Sequence, residues 1–302
     1  MSMDGSPPLV TIAMPVFNGG ATLRVALSSL LAQTFQDWEL LLIDDGSSDG
    51  AVTDLPDNVD ARIRIIADGA NQGLAARLNQ AISLARGRYF ARMDQDDVAH
   101  PERIEQQVNY LEDNPATDLL GTKCIAISED SKILGEFPFR ETHADICARP
   151  WSGFYLAHPS WMGRTEWFRR HRYADDAPFR CEDQELLLRA HTESIYHSLD
   201  NVLLAYRLRD RVRLKTILRT RLALAGVQLR YFSSRRNFAG VLAAISVTAL
   251  RLGKDVFLPA STGVRSEVAG RIGESDLAWW KDWLNTGSQA AQLLEPLKES
   301  NR

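Results

Sequence analysis

Three aspartates lie close together in the segment FARMDQDD, directly after an apolar run typical of a β-strand. Residues i and i+2 of a strand project to the same side, so Asp94 and Asp96 can present two carboxylates to one point. Mg²⁺ and Mn²⁺ bind through one or two carboxylates and complete their shell with water and substrate phosphates. The pattern predicts a metal site for a phosphate-containing ligand. Asp97 precedes a helix led by Pro101, so a capping role is open to it.

A second acidic pair, Asp44 and Asp45, follows the apolar run WELLLI. A carboxylate just beyond a buried strand can accept a hydrogen bond from a nucleotide base or a ribose hydroxyl. The segment DDGSSDG also favours an Asx turn, which is the alternative for Asp44, and we assign the nucleotide contact to Asp45. Phe17, in the loop after the first apolar run, is expected to stack on the base, or else to pack as a core or lid aromatic.

The phosphates of such a ligand need a positive partner. The chain contains neither GxxxxGK[ST] nor GxGxxG after a strand, so a P-loop ATPase and a dinucleotide oxidoreductase both lack their signature. A divalent ion together with Arg77, in NQGLAARLN, is predicted to supply the charge. The alternative for Arg77 is an exposed arginine on a helix.

The elements that position these residues alternate along the chain. Apolar runs at 9–14, 38–45, 63–68 and 89–93 predict strands, the first ending at Pro15, and helical spacing follows at 23–31, 74–86 and 101–113. Strands separated by helical crossovers indicate an α/β fold with a doubly wound, mostly parallel sheet. Because ligands bind at the carboxyl ends of such strands, the segments PVFN, DDGSSDG, DGANQG and DQDD are expected to converge on one pocket.

The composition is that of a globular protein, with 302 residues, 45% hydrophobic and 25% charged. Its three cysteines are far apart and form no CxxC pair, so neither a disulfide framework nor a zinc site is predicted. The start, MSMDGSPPLV, has no basic segment followed by an apolar one. A cytoplasmic location is the expectation.

Charge divides the chain into two parts. The net charge is −4, but residues 211–254 contain ten basic side chains and no acid, which leaves −14 on the remainder. We therefore predict a catalytic domain at 1–210 and a basic, helical C-terminal extension at 211–302.

The ordered motifs resemble glycosyltransferase family 2, the inverting nucleotide-sugar transferases with a GT-A fold. The segments are PVFNGG (15–20), SLLAQTFQDWELLLIDDGSSDG (29–50), NQGLAARLNQAISLARGRYFARMDQDD (71–97), HPSWMGR (158–164) and ED (182–183), so that the resemblance covers residues 9–209. It implies that Asp45 contacts the base, flanked by Phe17, with Pro15 and Asn18 in the same nucleotide-binding segment. Asp94 and Asp96 match the outer acids of a DxD-type motif, with Asp96 as the direct metal ligand.

The resemblance also implies a hexosyltransferase mechanism. Asp183 matches the catalytic base, and its neighbour Glu182 opens the same helix. Asp183 would take the proton of an acceptor hydroxyl as that oxygen attacks the anomeric carbon, while Mn²⁺ or Mg²⁺ neutralises the departing nucleoside diphosphate. The expected donor is a UDP-sugar and the acceptor a glycan or a lipid-linked sugar. N-terminal capping of the helix is the alternative for Asp183.

The sequence departs from the family pattern at two places. QELLLR stands where processive members carry QxxRW, which favours transfer of a single sugar. Arg209, in YRLR, replaces a histidine that can reach the metal in many relatives, so either the acids hold the metal alone or Arg209 contacts the diphosphate. His158 and Trp161 lie where the family lines its acceptor or sugar site, and loop packing is their alternative.

The basic extension leaves two interpretations open. Its 13-residue apolar run 238–250 is too short to span a bilayer, so 211–254 either contacts the inner membrane face peripherally or packs on the catalytic body. The segment lacks the features of nucleic-acid binding. DLAWWKDWLN (276–285) is expected to anchor at an interface or to form a homo-oligomer. The alternative functions are a sugar-phosphate nucleotidyltransferase and a non-catalytic nucleotide-binding relative.

Overall fold

The computed structural model describes residues 6–56, 59–209, 212–257, 268 and 272–292. The strands are β1 (Val10–Val16), β2 (Trp38–Asp44), β3 (Ile63–Ala67), β4 (Tyr89–Arg92), β5 (Val98–Ala99), β6 (Leu119–Ile127), β7 (Ile133–Glu136), β8 (Met162–Arg164) and β9 (Tyr196–Arg207). The helices are α1 (Gly20–Leu31), α2 (Leu74–Leu84), α3 (Arg103–Asp113), α4 (His143–Ile146), α5 (Thr165–Arg170), α6 (Glu182–Ala190), α7 (Leu214–Ser234), α8 (Phe238–Phe257) and α9 (Glu274–Gln292), with two single 3₁₀ turns at Pro150–Ser152 and His158–Ser160.

One mixed sheet organises the molecule. Its strand order is β3-β2-β1-β4-β8-β6-β9-β5, and β7 pairs with the edge of β6. The pairs β3–β2, β2–β1 and β1–β4 are parallel, which confirms the alternating pattern of the first half. Antiparallel pairing begins where β8 joins β4 and continues with β6. The parallel half directs the ends of β1, β2 and β4 to the same edge.

Both faces of the sheet are covered by helices. Leu41 and Ile43 of β2 point to one face, where they meet α2 and α6, whereas Leu40 and Leu42 point to the other and meet α1 and α3. All seven residues of β1 and of β2 are buried. The near-continuous apolar runs in the sequence therefore reflect strands that are buried on both sides.

The first strand is longer than the sequence predicts. β1 continues through Pro15, which pairs in register with Ile43 of β2, and ends at Val16. A proline near the end of a strand removes only one ladder hydrogen bond. The ladder is extended by the backbone N–H of Asp45, which donates to the carbonyl of Val16 at 2.7 Å. The prediction that the strand ends at Pro15 is therefore wrong.

The C-terminal helices pack on the part of the chain that precedes them. α7 contacts α6 and α8, α8 contacts the turn Pro150–Ser152, and α9 contacts α1. Trp280 and Leu284 of α9 are buried against Ile125 and Ile127 of β6, and the Trp283 indole N–H donates to the carbonyl of Ala99 at 3.0 Å. One face of the segment 276–285 thus packs within the chain, and its anchoring at an interface or its self-association stays a prediction.

Within the part of the chain that the structure describes, no helix is both long and apolar enough to cross a membrane.

The docking of α9 gives a stability prediction. Trp280 is 1% exposed and Trp279 is 38% exposed on the same helix. We expect Trp280→Ala to lower the free energy of unfolding by about 3 kcal/mol, because it leaves a cavity between α9 and the sheet. Trp279→Ala, the matched control, should cost about 1 kcal/mol or less. Urea unfolding of both variants measures the difference, and equal losses would show that α9 is not docked in this way.

Candidate active site

A single cleft of about 630 Å³ lies at the carboxyl edge of the parallel strands. It is lined by residues from the ends of β1, β2, β4 and β9, from the start of α6 and from α7. Those residues include Pro15, Phe17, Asp45, Arg92, Asp94, Asp96, His158, Glu182, Asp183, Arg207, Arg209 and Thr216. The structure therefore brings together most of the residues that the sequence singles out, from segments as distant as 15 and 209.

The aspartates after β4 form the floor of this cleft. Asp94 is ion-paired with the guanidinium of Arg92, whose side chain is 3% exposed. Asp96 lines the cleft beside it. Burial and then the nearby charge of Asp94 raise the pKa of Asp96 to about 6. This carboxylate is held in a setting that favours a cation close to it.

Asp97 has a structural task that differs from helix capping. It is fully buried, and its Oδ1 accepts the backbone N–H of Arg207 at 2.8 Å. α3 begins only at Arg103 and its N-cap residue is Glu102. The capping role that the sequence left open for Asp97 is therefore wrong, because Asp97 connects the loop after β4 to the end of β9.

Arg207 reinforces that connection, and sequence reasoning missed it. Its Nε donates to the carbonyl of Asp96 at 2.7 Å, and its Nη1 donates to the carbonyls of Ser128 and Glu129 at 2.8 and 2.9 Å. The guanidinium thus fixes the backbone that carries Asp96. The only sequence signal for Arg207 is its place in the YRLR segment. Arg92 has no sequence signal beyond its position two residues before Asp94.

The donor set fits a divalent cation that shares its shell with a phosphate ligand. No side chain of another described residue donates a hydrogen bond to the carboxylate of Asp96. Among the described residues, no group of three or more His, Cys, Asp or Glu side chains could hold a metal ion without further ligands. Two carboxylates completed by water and phosphate oxygens are a usual arrangement for Mg²⁺.

Asp45 is held rigidly at the opposite part of the cleft. Its Oδ1 accepts the backbone N–H of Gln72 at 2.7 Å and the Nε–H of Arg77 at 2.8 Å, and its Oδ2 accepts the N–H of Gly73 at 3.0 Å. These bonds fix the plane of the carboxylate. Asp44 instead accepts the backbone N–H of Ser47 at 3.0 Å, in agreement with the turn-forming alternative.

Arg77 lies behind the cleft and does not line it. Its side chain is 1% exposed, and its remaining nitrogens donate to Asp68, Gln80 and the carbonyl of Ala70. Both sequence interpretations, a phosphate contact and an exposed helix arginine, are therefore wrong. Every nitrogen of the guanidinium is occupied by a protein acceptor, so Arg77 positions Asp45.

The loop after β1 forms the mouth of the cleft. Phe17 is 48% exposed, which excludes the core alternative, and both its backbone N–H and its carbonyl bond to the side chain of Gln95, at 2.7 and 3.0 Å. Asn18 has a φ of +50°, and its side-chain oxygen accepts the N–H of Ser48 at 2.9 Å. Asn18 thus ties two loops together and is not among the residues that line the cleft.

Glu182 and Asp183 occupy the first turn of α6 and line the far wall of the cleft. Burial raises the pKa of both carboxyls, and their proximity raises that of Glu182 further. Asp183 accepts a hydrogen bond from Gln184 Nε2 at 3.1 Å, and Gln184 is itself held by the backbone N–H of Phe154 at 2.8 Å. A carboxylate with a raised pKa in a cleft is suited to act as a general base.

The predicted acceptor residues separate into two groups. His158 lines the cleft, and its Nε2 lies 2.7 Å from the Tyr173 hydroxyl, with its pKa lowered by burial and by Arg92. Trp161 is fully buried in the core, where its indole N–H donates to the carbonyl of Leu156 at 3.2 Å. Trp161 is therefore a packing residue and not part of an acceptor wall. Arg209 has an exposed side chain that lines the cleft.

An α/β sheet whose parallel strands end at an acidic cleft, followed by helices, is the GT-A architecture of glycosyltransferases. The crystal structure of TarS from S. aureus in complex with UDP-GlcNAc shares this fold with a TM-score of 0.62 at 14% identity, covering 94% of this chain and 90% of that one. The mannosyltransferase PcManGT from Pyrobaculum calidifontis, in complex with GDP-Man and Mn²⁺, aligns with a TM-score of 0.51 at 16% identity, over 96% and 87% of the two chains.

Residues 11–172, more than half of the chain, match the family model described as Glycosyl transferase family 2. The chain belongs to glycosyltransferase family 2.

Several curated proteins are similar in sequence. An uncharacterized glycosyltransferase of Methanocaldococcus jannaschii is 29% identical over 68% of this chain and 72% of its own length. The putative glycosyltransferase EpsE of Bacillus subtilis is 37% identical over 41% of this chain and 46% of its own length. WfgD of Escherichia coli, a UDP-Glc:alpha-D-GlcNAc-diphosphoundecaprenol beta-1,3-glucosyltransferase, is 33% identical over 43% and 50%. The matched part therefore spans about half of EpsE and of WfgD.

The contacts of Arg77 give a prediction about Asp45. Arg77→Met leaves the carboxylate of Asp45 buried without its cation, so we expect the free energy of unfolding to fall by about 3 kcal/mol. The control, Arg88→Met, breaks an exposed pair with Glu112 and should cost about 1 kcal/mol or less. Urea unfolding compares the two, and a loss for Arg77→Met no larger than that of the control would contradict the buried pair.

Proposed function

We propose that this chain is a metal-dependent, inverting glycosyltransferase that moves one sugar from a UDP-sugar to a hydroxyl of a glycan or lipid-linked acceptor. The observation that carries the proposal is the gathering of Phe17, Asp45, Asp96 and Asp183 around one cleft. In this proposal Phe17 and Asp45 serve the base, Asp96 serves the diphosphate through a cation, and Asp183 serves the reacting carbon.

The nucleotide is assigned to the side of the cleft formed by β1 and β2. The exposed ring of Phe17 is available to stack on the base, and the fixed carboxylate of Asp45 is available to accept its N–H. Asp94 and Asp96 would hold Mn²⁺ or Mg²⁺, which supplies positive charge to the departing diphosphate. Arg209 adds an exposed cation to the same wall. The Mn²⁺ complex of PcManGT supports this assignment.

The chemistry is assigned to the first turn of α6. Asp183 takes the proton of the acceptor hydroxyl as that oxygen forms its bond to the anomeric carbon. The bond from that carbon to the phosphate oxygen breaks at the same time, and the electron pair leaves with the nucleoside diphosphate. Because attack and departure occur on opposite faces, the anomeric centre inverts. Gln184 orients the carboxylate through its bond at 3.1 Å.

The substrates are proposed from the relatives. WfgD is named for a UDP-glucose donor and a diphosphoundecaprenol-linked acceptor, and TarS was crystallised with UDP and with UDP-GlcNAc. We therefore favour a UDP-sugar donor and an acceptor sugar on a lipid carrier or a growing glycan. Such an acceptor places the enzyme in the cytoplasm, at the inner face of the membrane. No nucleic-acid partner is part of the proposal.

A thermal-shift panel tests the donor and the metal. UDP with Mn²⁺ should raise Tm more than UDP or Mn²⁺ alone, because Asp94 and Asp96 would hold a cation that supplies positive charge to the diphosphate. Saturation a hundredfold above Kd stabilises by about 2.7 kcal/mol. Asp96→Asn should remove the Mn²⁺-dependent part of the shift. Asp176→Asn, an exposed acid outside the cleft lining, is the control. A larger shift with GDP than with UDP would reject the donor assignment, and a UDP shift unaffected by Mn²⁺ would reject the metal.

The role of Asp183 has an activity signature and a stability signature. Asp183→Asn should lower transfer by roughly a thousandfold, in the middle of the range for loss of a general base, with UDP affinity nearly unchanged. Burial raises the folded-state pKa of Asp183 above its unfolded value, so its ionisation costs stability once pH exceeds the unfolded pKa, and the cost is complete above the folded pKa. The variant should therefore have a higher Tm than the parent at pH 8, and the gain should vanish near pH 4.

Scanning calorimetry at the two pH values, beside a sugar-transfer assay, measures both signatures. Asp176→Asn serves again as the control and should change neither. Transfer by Asp183→Asn at the parent rate would remove Asp183 from the mechanism.

A further inference from the structure

Helix α8 carries an apolar surface that the other described residues leave open. Phe238, Leu242 and Ile245 are 72%, 66% and 48% exposed. With Ala249 and Val256 they recur at helical spacing, so these five residues form one stripe, which we call the apolar face of α8. Leu250 and Phe257, 75% and 86% exposed, widen it on one side. A continuous exposed patch of this kind marks an interaction site.

The rotation of α8 that exposes this face is fixed by close packing against α7. Gly240 and Ala244, on the opposite side of the helix, are buried. A Cβ added at Gly240 would lie 2.6 Å from the ring of Phe232 in α7, so only glycine allows this approach of the two helices. The exposed stripe is therefore a consequence of a specific helix–helix contact.

Positive charge surrounds the apolar face. Residues 212–254 contain no acid, and the first acid that follows, Asp255, is paired with Arg221 at 3.1 Å. Arg235 and Arg236 lie three and two residues before Phe238, and Lys254 lies three residues before Phe257. The exposed basic side chains of this region are Arg213, Lys215, Arg219, Arg230, Arg235, Arg236 and Lys254. An apolar stripe bordered by cations is complementary to an anionic lipid surface.

Charge also decides between the candidate occupants. A second copy of the chain that docked through the same face would bring like charges together around the contact, which costs free energy. Anionic lipid headgroups would instead pair with the same side chains while the apolar stripe enters the acyl boundary. The 20 residues of α8 are about 30 Å long, so the helix would lie along the surface over its whole length.

The α7–α8 pair is also part of the active-site cleft. Thr216, Ile217 and Thr220 of α7 line the cleft, as does Asp255 of α8. We propose that the apolar face of α8 docks on an anionic membrane and so holds the α7 side of the cleft at the lipid surface, where a lipid-linked acceptor sugar would enter. The choice of acceptor rests on the proposed function, whereas the docking itself does not.

Vesicle flotation of the full chain tests the docking. We expect the protein to float with vesicles that contain phosphatidylglycerol at low salt, to float less at high salt, and to stay at the bottom with phosphatidylcholine alone. Leu242→Gln/Ile245→Gln should lower the lipid-bound fraction roughly tenfold or more, since two apolar side chains no longer enter the lipid. Both positions are exposed, so the fold should be retained. Arg236→Gln/Lys254→Gln should weaken binding and reduce its salt dependence.

The control is Ile65→Gln, because Ile65 is also 48% exposed but lies on the edge strand β3. It should float as the parent does. Parent protein that stays at the bottom with anionic vesicles at low salt, or flotation of Leu242→Gln/Ile245→Gln equal to that of the parent, would overturn the proposal. Light scattering provides one more outcome. A dimer that this double variant dissociates would assign the face to a second copy and also overturn it.

Nucleotide binding separates this inference from the proposed function. The Leu242→Gln/Ile245→Gln variant should keep the parent's Tm shift with UDP and Mn²⁺ in the absence of lipid. Lost flotation with an intact shift supports membrane docking alone. Normal flotation with no nucleotide shift in any variant would leave the docking established and reject the proposed donor.

Discussion

The structure depends on holding several carboxylates together in a poorly hydrated cleft. Two negative charges about 4 Å apart repel by roughly 4 kcal/mol at an effective dielectric constant near 20, a cost of the order of a whole domain's stability when several are combined. Asp94, Asp96, Glu182 and Asp183 all line this cleft. The fold must therefore supply compensating charge without filling the space that a substrate needs.

Buried arginines supply that charge, Arg92 and Arg207 from the cleft lining and Arg77 from behind it. Arg92 pairs with Asp94, and Arg77 pairs with Asp45 and Asp68. The guanidinium of Arg207 fixes the backbone of Asp96 by donating a hydrogen bond to the Asp96 carbonyl. The planar guanidinium, with five donors in a fixed geometry, can bond to several acceptors at once, which a lysine ammonium cannot reproduce. Two nitrogens of Arg92 have no hydrogen-bond partner among the described residues, so its charge is not consumed by Asp94 alone. These side chains orient acids that line the cleft.

The parts that sequence predicts well are those that depend on local patterns. The parallel half of the sheet follows from apolar runs and helical spacing, and the convergence of Asp45 and Asp96 follows from the rule for strand ends. The failures concern contacts between distant segments. The spacing of the sequence places Arg77 on a helix and predicts nothing more about it. Its ion pairs with Asp45 and Asp68 make it a residue that positions Asp45. Trp161 lies in a loop-like segment of the sequence and Trp280 in an amphipathic one, yet the tertiary fold buries both side chains. No local pattern contains that information.

The arginines do not compensate all of the negative charge in the cleft, and the protonation of the remaining acids is coupled to ligand binding. The pKa values of Asp96 and Asp183 are raised because burial disfavours their charged forms in the absence of a ligand. A cation beside Asp96 favours the ionised form, so its binding and the loss of a proton are coupled. Asp183 has no such cation, and Gln184 stabilises its charge only through a neutral hydrogen bond. The two acids therefore face opposite requirements: a cation beside the first favours its ionised form, and the second has to gain a proton when the acceptor reacts. A single fold meets both because the acids lie on separate elements, the loop after β4 and the first turn of α6, with Arg92 on the strand that precedes the loop.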